Sequence, residues 1–281
     1  MAATQFAASF DGEQENMYQR DETTELTVRN HRADLLVEMQ DICKSFGGVR
    51  ALNNITFSIH RGEILALVGD NGAGKSTLIK VLAGALIRDH GDMIIEGEMV
   101  KTHTPRSARE QGIETVYQDL ALFDQLDVTT NFYFGREITT KLGLLDKREM
   151  SRNVKLFLEE FGIVIKSVSQ RVGTLSGGQR HSIAIGRAVY VNRNPKLIIL
   201  DEPTAGLGVE QSRNVLQLIR ELKKRKLAVI LISHNMDHVL AVSERILVLR
   251  SGKLVAEKRT EATNVESLLQ AMLGKGNEDA K

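Results

Sequence analysis

The sequence predicts an α/β fold interrupted by a helical insertion. Continuous apolar runs at residues 64–68, 197–200 and 227–232 are typical of buried strands. Between the last two runs, residues 209–224 repeat apolar side chains at helical spacing. Residues 119–193 carry a mostly helical pattern with few β-branched runs. We therefore expect helices inserted into an α/β core.

Composition and charge narrow the class of protein. The 281 residues include 37 Lys and Arg against 36 Asp and Glu, a net charge of +1, with 42% apolar and 26% charged residues. These values are typical of a soluble globular protein of one or two domains, and they argue against nucleic acid as the main ligand. A single cysteine, Cys43, and the lack of a basic, apolar start predict the reducing cytoplasm.

The start of the chain differs from the rest. Residues 1–34 are polar and of mixed charge, so they predict a disordered extension. Order is expected from Leu35, because Leu35, Val37 and Met39 alternate with polar neighbours in the manner of a strand. Residues 55–59 predict a second strand.

The motifs described below occur once, which predicts a single domain. Its expected parts are the extension 1–34, the domain 35–274 with its core at 35–118 and 194–274 and its helical insertion at 119–193, and a tail at 275–281.

The end of the domain carries two local signals. Ser251 and Gly252 predict a hairpin turn between two short strands. A capping box from Thr263 to Glu266 predicts the start of a final helix, which stops at Gly274. The apolar face expected for this helix consists of Val265, Leu268, Leu269 and Met272.

A glycine-rich segment follows the first buried strand and precedes a predicted helix at residues 75–83. It fits the pattern G-x-x-x-x-G-K-S/T and consists of Gly69, Asp70, Asn71, Gly72, Ala73, Gly74, Lys75, Ser76 and Thr77. Its glycines let backbone N–H groups surround a polyphosphate, Lys75 can reach the β and γ oxygens, and the Ser76 hydroxyl can bind Mg²⁺. The alternative is a glycine-rich turn that binds nothing, which the flanking strand and helix disfavour.

Two carboxylates, Asp201 and Glu202, end the second buried strand. Taken alone, such a pair is often a helix cap. Beside a phosphate loop, Asp201 is expected to support Mg²⁺ and Glu202 to polarise the water that attacks the γ-phosphate. The apolar strand before Glu202 should raise its pKa, which suits a base.

A histidine, His234, follows the third buried strand. A lone histidine is more often structural than catalytic. Its place at the end of a strand on the phosphate side favours a catalytic role here.

A five-residue segment then identifies the family. Leu175, Ser176, Gly177, Gly178 and Gln179 lie between the phosphate loop and the acidic pair. With these motifs, residues 35–274 resemble the ATP-binding subunit of ABC transporters. The resemblance implies a P-loop NTPase core of the RecA-like kind, with an antiparallel β subdomain and the helical insertion as a subdomain.

The resemblance also implies ATP hydrolysis by a head-to-tail dimer. Each ATP then lies between the phosphate loop of one copy and Ser176, Gly177, Gly178 and Gln179 of the other. The residues agree, because this segment precedes a predicted helix at 180–190 and so offers a second anion-binding N-terminus.

Three further positions take their interpretation from the family. Gln118 matches the glutamine that senses Mg²⁺ and links to the membrane subunit. Phe46 matches the aromatic residue that stacks on adenine, although a core role is the alternative, and such stacking predicts only a modest preference for ATP over GTP. Gly208 departs from the Asp that many relatives carry, which puts a contact across the dimer in doubt.

These inferences give three sets of site residues. The expected catalytic residues are Lys75, Gln118, Glu202 and His234, and the expected metal ligands are Ser76, Gln118 and Asp201. The expected nucleotide contacts are Phe46, Gly69, Asn71, Gly72, Gly74, Lys75, Ser76, Thr77, Ser176, Gly177, Gly178 and Gln179.

A finer resemblance is to bacterial importers of ribose, xylose and fructose. It rests on residues 116–122, 131–137 and 232–236. It implies a peripheral subunit on the cytoplasmic face of the inner membrane that powers monosaccharide import. The implied partners are a second copy, membrane permease subunits and, indirectly, a periplasmic sugar-binding protein.

Other functions stay open at this point. The chain could serve an importer of another solute, or be a non-transport ABC ATPase of DNA maintenance or translation. The absence of long coiled-coil insertions and of a second tandem unit argues against the non-transport ATPase. A regulatory subunit that binds ATP without turnover is opposed by the intact Lys75, Asp201, Glu202 and His234.

Overall fold

A computed structural model describes residues 34–101, 103–192 and 195–274. Several predicted parts lie outside the described residues: the extension 1–34 apart from its last residue, the tail 275–281, residue 193 at the end of the insertion and residue 194 at the start of the second core segment. No helix within the described ranges is long and apolar enough to cross a membrane.

The described residues form ten strands and eight α-helices. The strands are β1 (Leu35–Phe46), β2 (Val49–His60), β3 (Ile64–Val68), β4 (His90–Ile95), β5 (Glu98–Met99), β6 (Ile113–Val116), β7 (Leu197–Asp201), β8 (Ala228–Ile232), β9 (Arg245–Arg250) and β10 (Lys253–Arg259). The helices are α1 (Lys75–Leu82), α2 (Pro105–Glu110), α3 (Val128–Tyr133), α4 (Lys147–Glu160), α5 (Gly177–Val191), α6 (Val209–Lys224), α7 (Met236–Val242) and α8 (Val265–Leu273).

A six-stranded sheet forms the centre of the fold, in the order β10-β9-β3-β8-β7-β6. The pairs from β9 to β6 are parallel, and only β10 is antiparallel to its neighbour. Every residue of β3 and β8 is buried, because helices cover both faces of a parallel sheet. This burial explains the continuous apolar runs and confirms the predicted α/β core.

A second, antiparallel sheet has the order β2-β1-β4-β5. It contacts the central sheet at the turn between β9 and β10, where the Asn53 N–H donates to the carbonyl of Gly252 at 2.8 Å. The turn has Ser251 at φ 47° and Gly252 at φ 73°, which confirms the predicted hairpin. The antiparallel β subdomain implied by the family is therefore present.

Helices α3, α4 and α5 pack on one another around an aromatic cluster. The Phe132 and Phe157 rings lie 5.8 Å apart, and Tyr190 packs edge-on against both. Val154 and Ile183 are fully buried in the same cluster. The inserted helices thus pack around an aromatic cluster that is continuous with side chains of the central sheet, such as Ile198 and Val229.

Three local predictions need correction. Helix α8 is capped by Asn264, whose side chain accepts from the Ser267 N–H, so the predicted capping box from Thr263 to Glu266 is wrong by one residue. Asparagine is at least as good an N-cap as threonine, so no local signal favours Thr263 over Asn264. Leu269 is 44% exposed rather than buried, because this short helix buries only one narrow stripe. Helix α5 begins at Gly177, three residues before the predicted start.

A buried ion pair joins the two sheets. Arg245 at the start of β9 donates to Glu63 from Nε at 2.7 Å and from Nη2 at 3.0 Å. The same guanidinium donates to the carbonyl of Ser58 on β2 at 2.5 Å and to Glu257 on β10 at 2.7 Å. Both Arg245 and Glu63 are mostly buried. The pair therefore fixes the antiparallel sheet against the strand that leads into the glycine-rich loop.

We expect Arg245→Met to lower the free energy of unfolding by about 3–5 kcal/mol, because it leaves the Glu63 carboxylate buried without its partner. The matched control is Arg259→Met, since Arg259 pairs only loosely with Glu261, at 3.9 Å, and both side chains are 79% exposed. The control should change stability by less than about 0.5 kcal/mol. Denaturant unfolding measures both, and equal small effects would contradict the structural role of the buried pair.

Candidate functional site

The carboxyl ends of four parallel strands meet at one edge of the central sheet. Strands β3, β8, β7 and β6 lie side by side in this order in the central sheet and run in the same direction. The chain leaves them into the glycine-rich loop, the segment with His234, the segment with Glu202 and the segment with Gln118, respectively. Sheets of this kind bind their ligands at that edge.

The glycine-rich loop, residues 69–74, needs glycine at two of its positions. Gly69 has φ 152°, and a Cβ there would lie 2.2 Å from the carbonyl oxygen of Leu249. Gly74 has φ 107°, and a Cβ there would lie 2.7 Å from the carbonyl oxygen of Ala51. The loop is therefore fitted tightly between the two sheets, and its backbone follows a path that a side chain would block.

Lys75, the first residue of α1, folds back over this loop. Its Nζ donates to the carbonyls of Gly69 at 2.6 Å and Asp70 at 3.0 Å. Burial lowers the pKa of Lys75, and the negative fields of Glu202, Asp70 and Asp201 oppose that shift. The ammonium group is thus held by backbone oxygens at the centre of an acidic site.

The start of α1 offers further donors. Gly74 is its N-cap and supplies no side-chain acceptor, so the first N–H groups of the helix lack a capping partner of their own. Ser76 in the first turn is exposed, as are Asn71 and Gly72 in the loop, whereas Thr77 is half-buried. The predicted phosphate contacts therefore lie together around one helix N-terminus.

Glu202 adopts an unusual backbone conformation directly after β7. Its φ is 53°, a left-handed value that costs a non-glycine residue about 1–2 kcal/mol. Its N–H donates to the carbonyl of Ile232 on β8 at 3.0 Å. This contact ties the residue to the strand that precedes His234, and it turns the carboxylate toward that histidine.

The Glu202 carboxylate lies beside His234, with 3.4 Å between Oε1 and Nε2. The Glu202 side chain is 15% exposed, whereas the His234 side chain is half exposed. Oε1 is buried and has no partner in hydrogen-bond geometry within the described part of the chain. A buried acceptor without a donor is costly, and it fits a site that completes its hydrogen bonds when a ligand or water enters.

Both carboxylates of the pair are shifted in the same direction. Burial raises the pKa of Asp201, against the fields of Lys75, His234 and Lys80. Burial also raises the pKa of Glu202, with a contribution from Asp201, against the fields of His234 and Lys75. The expectation that the apolar strand raises the pKa of Glu202 is confirmed.

Gln118, Glu202 and His234 line one open cleft of about 730 Å³ with Asn71 of the loop. The structure thus brings together residues that the sequence placed after four different strands. His238 also lines this cleft, and its Nδ1 lies 3.0 Å from the hydroxyl of Thr204. His238 was not among the predicted site residues, although it lies four residues after His234, in helix α7.

Ser176 and its neighbours lie elsewhere. Ser176 caps α5, with its hydroxyl accepting from the Gln179 N–H at 3.3 Å and its own N–H donating to Gln179 Oε1 at 3.0 Å. The N–H groups of Gly177 and Gly178, in the first helical turn, have no carbonyl partner within the helix. A Cβ on Gly178 would lie 2.9 Å from Gln211 Cβ, so the glycine also permits close packing on α6.

This segment faces a separate cavity of about 670 Å³, and no residue lines both that cavity and the cleft with Glu202. Within one copy of the described chain, Ser176 and Glu202 therefore line different surfaces.

Phe46 and Gly208 complete the predicted positions. Phe46 ends β1 and is 50% exposed, which argues against the alternative of a core residue. Gly208 is the N-cap of α6 with φ −68°, and a Cβ there would have no neighbour within 4 Å. The backbone therefore does not require glycine at 208.

Comparisons with known proteins agree on one family. Residues 52–205 match the family model described as ABC transporter. The chain is 46% identical to the xylose/arabinose import ATP-binding protein of Sulfolobus acidocaldarius, over 86% of this chain and 97% of that protein. It is 43% identical to the fructose import ATP-binding protein of Rhizobium meliloti, over 78% of this chain and 86% of that protein.

Solved structures give the same result for the fold. A nucleotide-free ATP-binding cassette from an ABC transporter has a TM-score of 0.73 and 27% identity, over 85% of this chain and 95% of that one. The ADP conformation of an ATP-binding cassette of an ABC transporter has a TM-score of 0.72 and 27% identity, with the same coverage.

Because the pKa of Glu202 is raised, we expect the thermal stability of the protein to depend on the charge of this residue. Above its folded-state pKa, the wild-type Glu202 carries a buried negative charge that lowers the free energy of unfolding. This destabilisation disappears as pH falls through that pKa toward the ordinary value of 4.5, because the carboxylate becomes protonated. We therefore expect Glu202→Gln to raise the melting temperature at pH 8, and we expect this gain to shrink as pH falls toward 5. Thermal unfolding across this range tests it. A gain that grows as pH falls would contradict the assigned sign.

Proposed function

Because this chain belongs to the ABC transporter family of ATP-binding proteins, we propose that it hydrolyses ATP to drive the import of a monosaccharide through a membrane permease. The observation that carries the hydrolysis is the buried Glu202 carboxylate, which faces His234 beside the loop that holds Lys75. The choice of a monosaccharide is supported by the names of the relatives, which are xylose/arabinose and fructose import proteins.

Glu202 acts as the general base. One oxygen of its carboxylate accepts a proton from a water molecule as the water oxygen bonds to the γ-phosphorus. The bond from that phosphorus to the β–γ bridging oxygen breaks, and the electron pair leaves with ADP. The raised pKa of Glu202 brings its basicity closer to neutral pH, which strengthens this role.

Lys75 and His234 hold the reacting groups in place. The Lys75 ammonium exchanges the carbonyls of Gly69 and Asp70 for β- and γ-phosphate oxygens, where a full negative charge offers a stronger partner. His234 Nε2, 3.4 Å from Glu202 Oε1, orients the carboxylate and the γ-phosphate toward each other.

Mg²⁺ fits the donors at this edge of the sheet. Ser76, Gln118 and Asp201 supply a hydroxyl, an amide and a carboxylate oxygen, the ligand types that Mg²⁺ prefers. Within the described residues no three His, Cys, Asp or Glu side chains form a metal cluster. That sparse set suits an ion held mainly by substrate phosphates and water, and when bound the ion neutralises phosphate charge.

A second copy completes each site. Ser176 and Gly178 line a different cavity from the cleft of their own chain. Together with Gly177 they would serve the ATP held by Lys75 of a partner in a head-to-tail dimer. Phe46, exposed at the end of β1, stacks on the adenine of the nucleotide.

The other partners follow from the family and the relatives. The dimer docks on permease subunits at the cytoplasmic face of the membrane, and a periplasmic sugar-binding protein delivers the solute from the other side. Some ribose import relatives, such as that of Clostridium perfringens strain SM101, are about twice as long, since this chain covers 48% of their length.

Glu202→Gln should lower ATP turnover by at least about 10²-fold and leave ATP binding nearly unchanged, because it removes the base and keeps the shape. Steady-state turnover and equilibrium ATP binding measure the two effects. Near wild-type turnover would remove Glu202 from the base role. If wild-type turnover is itself negligible, that result would also favour the alternative hypothesis of a regulatory subunit that binds ATP without hydrolysing it.

The shared site predicts rescue between inactive variants. Mixing Lys75→Ala with Ser176→Arg yields dimers with one site damaged twice and one intact, so part of the turnover should return. Mixing Lys75→Ala with Glu202→Gln is the matched control, since both changes lie on the same half and every mixed site is damaged. Rescue in both mixtures, or in neither together with activity per chain that is flat on dilution, would contradict the shared-site model.

A further inference from the structure

The segment that carries Gln118 is hydrogen-bonded to helices over its later part, whereas Gln118 itself is exposed. Residues 117–127 run from β6 to α3 without regular structure. Gln118 is exposed, and it lines the cleft with Glu202. We call residues 117–127 the Gln118 loop. Side chains from α3 and α5 hold the later part of this loop.

Arg187, in the third turn of α5, makes the contact nearest to Gln118. Its Nη1 donates to the carbonyl of Ala121 at 2.7 Å, and its Nη2 donates to the carbonyl of Leu120 at 3.0 Å. Ala121 has a left-handed φ of 48°, and its N–H donates to Asp119 Oδ1 at 3.3 Å. The guanidinium therefore spans a strained turn two residues after Gln118.

Arg180 makes a second contact from the same face of α5, since it lies seven residues, or about two turns, before Arg187. Its Nη2 donates to Asp124 Oδ1 at 2.6 Å. Arg180 directly follows the segment that starts at Ser176 and ends at Gln179. The helix that presents Ser176 is thus joined to the Gln118 loop at two points.

Asn131 on α3 fixes the far end of the loop. Its amide donates to the carbonyls of Phe123 at 3.1 Å and Asp127 at 3.0 Å, and its Oδ1 accepts from the Phe123 N–H at 2.9 Å. Asn131 is fully buried. Residues 120–127 are therefore fixed to the helices, whereas residues 117–119 are not held by these three side chains.

The surroundings of the Arg187 guanidinium support a role in holding the Gln118 loop. It is half-buried among α5, β6 and the loop, and burial lowers its pKa against the field of Glu114. Within the described ranges, both hydrogen bonds of its guanidinium go to carbonyls of the loop, those of Ala121 and Leu120. A methionine could fill the same space without the cost of burying a charge, so packing alone does not account for arginine here.

We propose that Arg187 is a positioning residue that sets Gln118 relative to the Ser176 end of α5. This inference rests on the proposed function, because it assigns Gln118 a role at the phosphates and Ser176 a role at the partner's ATP. Arg187 acts through the loop backbone and does not contact ATP.

The test compares Arg187→Met with Arg225→Met. Arg225 is the matched control, because its guanidinium also joins the α/β core to the inserted helices, at the carbonyl of Glu160 at 3.0 Å, away from the Gln118 loop. Arg187→Met should lower turnover by about 10- to 100-fold and raise the Mg²⁺ concentration needed for half-maximal turnover. Arg225→Met should stay within about twofold of wild type.

A double-mutant cycle separates positioning from support of the fold. Combined with Gln118→Ala, Arg187→Met should add no further loss, because both changes remove the same contribution. Losses that multiply would overturn the proposal. If Arg187→Met lowers the melting temperature strongly, Arg187→Lys replaces it, since lysine keeps one donor for the carbonyls, and the same non-additivity is expected.

Hydrogen exchange gives a readout that needs no turnover. In the nucleotide-free protein, Arg187→Met should speed exchange of the amides at residues 119–122, and Arg225→Met should not. If the wild-type protein fails to hydrolyse ATP, the proposed function fails while exchange still reports whether Arg187 holds the loop. Exchange at residues 119–122 that is unchanged in Arg187→Met would overturn the inference.

Discussion

The parallel register of β3, β8 and β7 is the constraint on which the site depends. Ile232 at the end of β8 lies opposite Leu67 on β3 and opposite Asp201 on β7. The three strands therefore end at one level. Strand β3 leads into the loop before Lys75, β8 leads to His234, and β7 leads to the acidic pair Asp201 and Glu202. A slip of one residue would turn every side chain of a strand to the other face and separate these groups.

This arrangement concentrates features that do not favour folding. Glu202 combines a left-handed backbone, a buried oxygen without a hydrogen-bond donor and a nearby second carboxylate. Lys75 is buried and held by backbone carbonyls alone. The fully buried strands of the central sheet must offset these costs, as is common where a site is built for a reaction rather than for stability.

Local patterns in the sequence predicted what local forces decide. The boundaries of β3 and α6, the hairpin at Ser251 and the glycine-rich loop all follow from periodicity and backbone geometry. The choice of Asn264 over Thr263 as a cap could not be predicted, because both are competent N-caps. The contacts of Arg187 with a loop 66 residues earlier could not be predicted either, since no local signal records which distant carbonyls an arginine meets.

We infer that the loop around Lys75 is a phosphate site, in which the lysine contacts backbone carbonyls until nucleotide binds. A crystal structure of Glu202→Gln with ATP and Mg²⁺ tests it most directly. We expect Lys75 Nζ to leave the carbonyls of Gly69 and Asp70 and to contact the β- and γ-phosphate oxygens. A structure in which ATP is bound while Lys75 keeps both carbonyl contacts would contradict it.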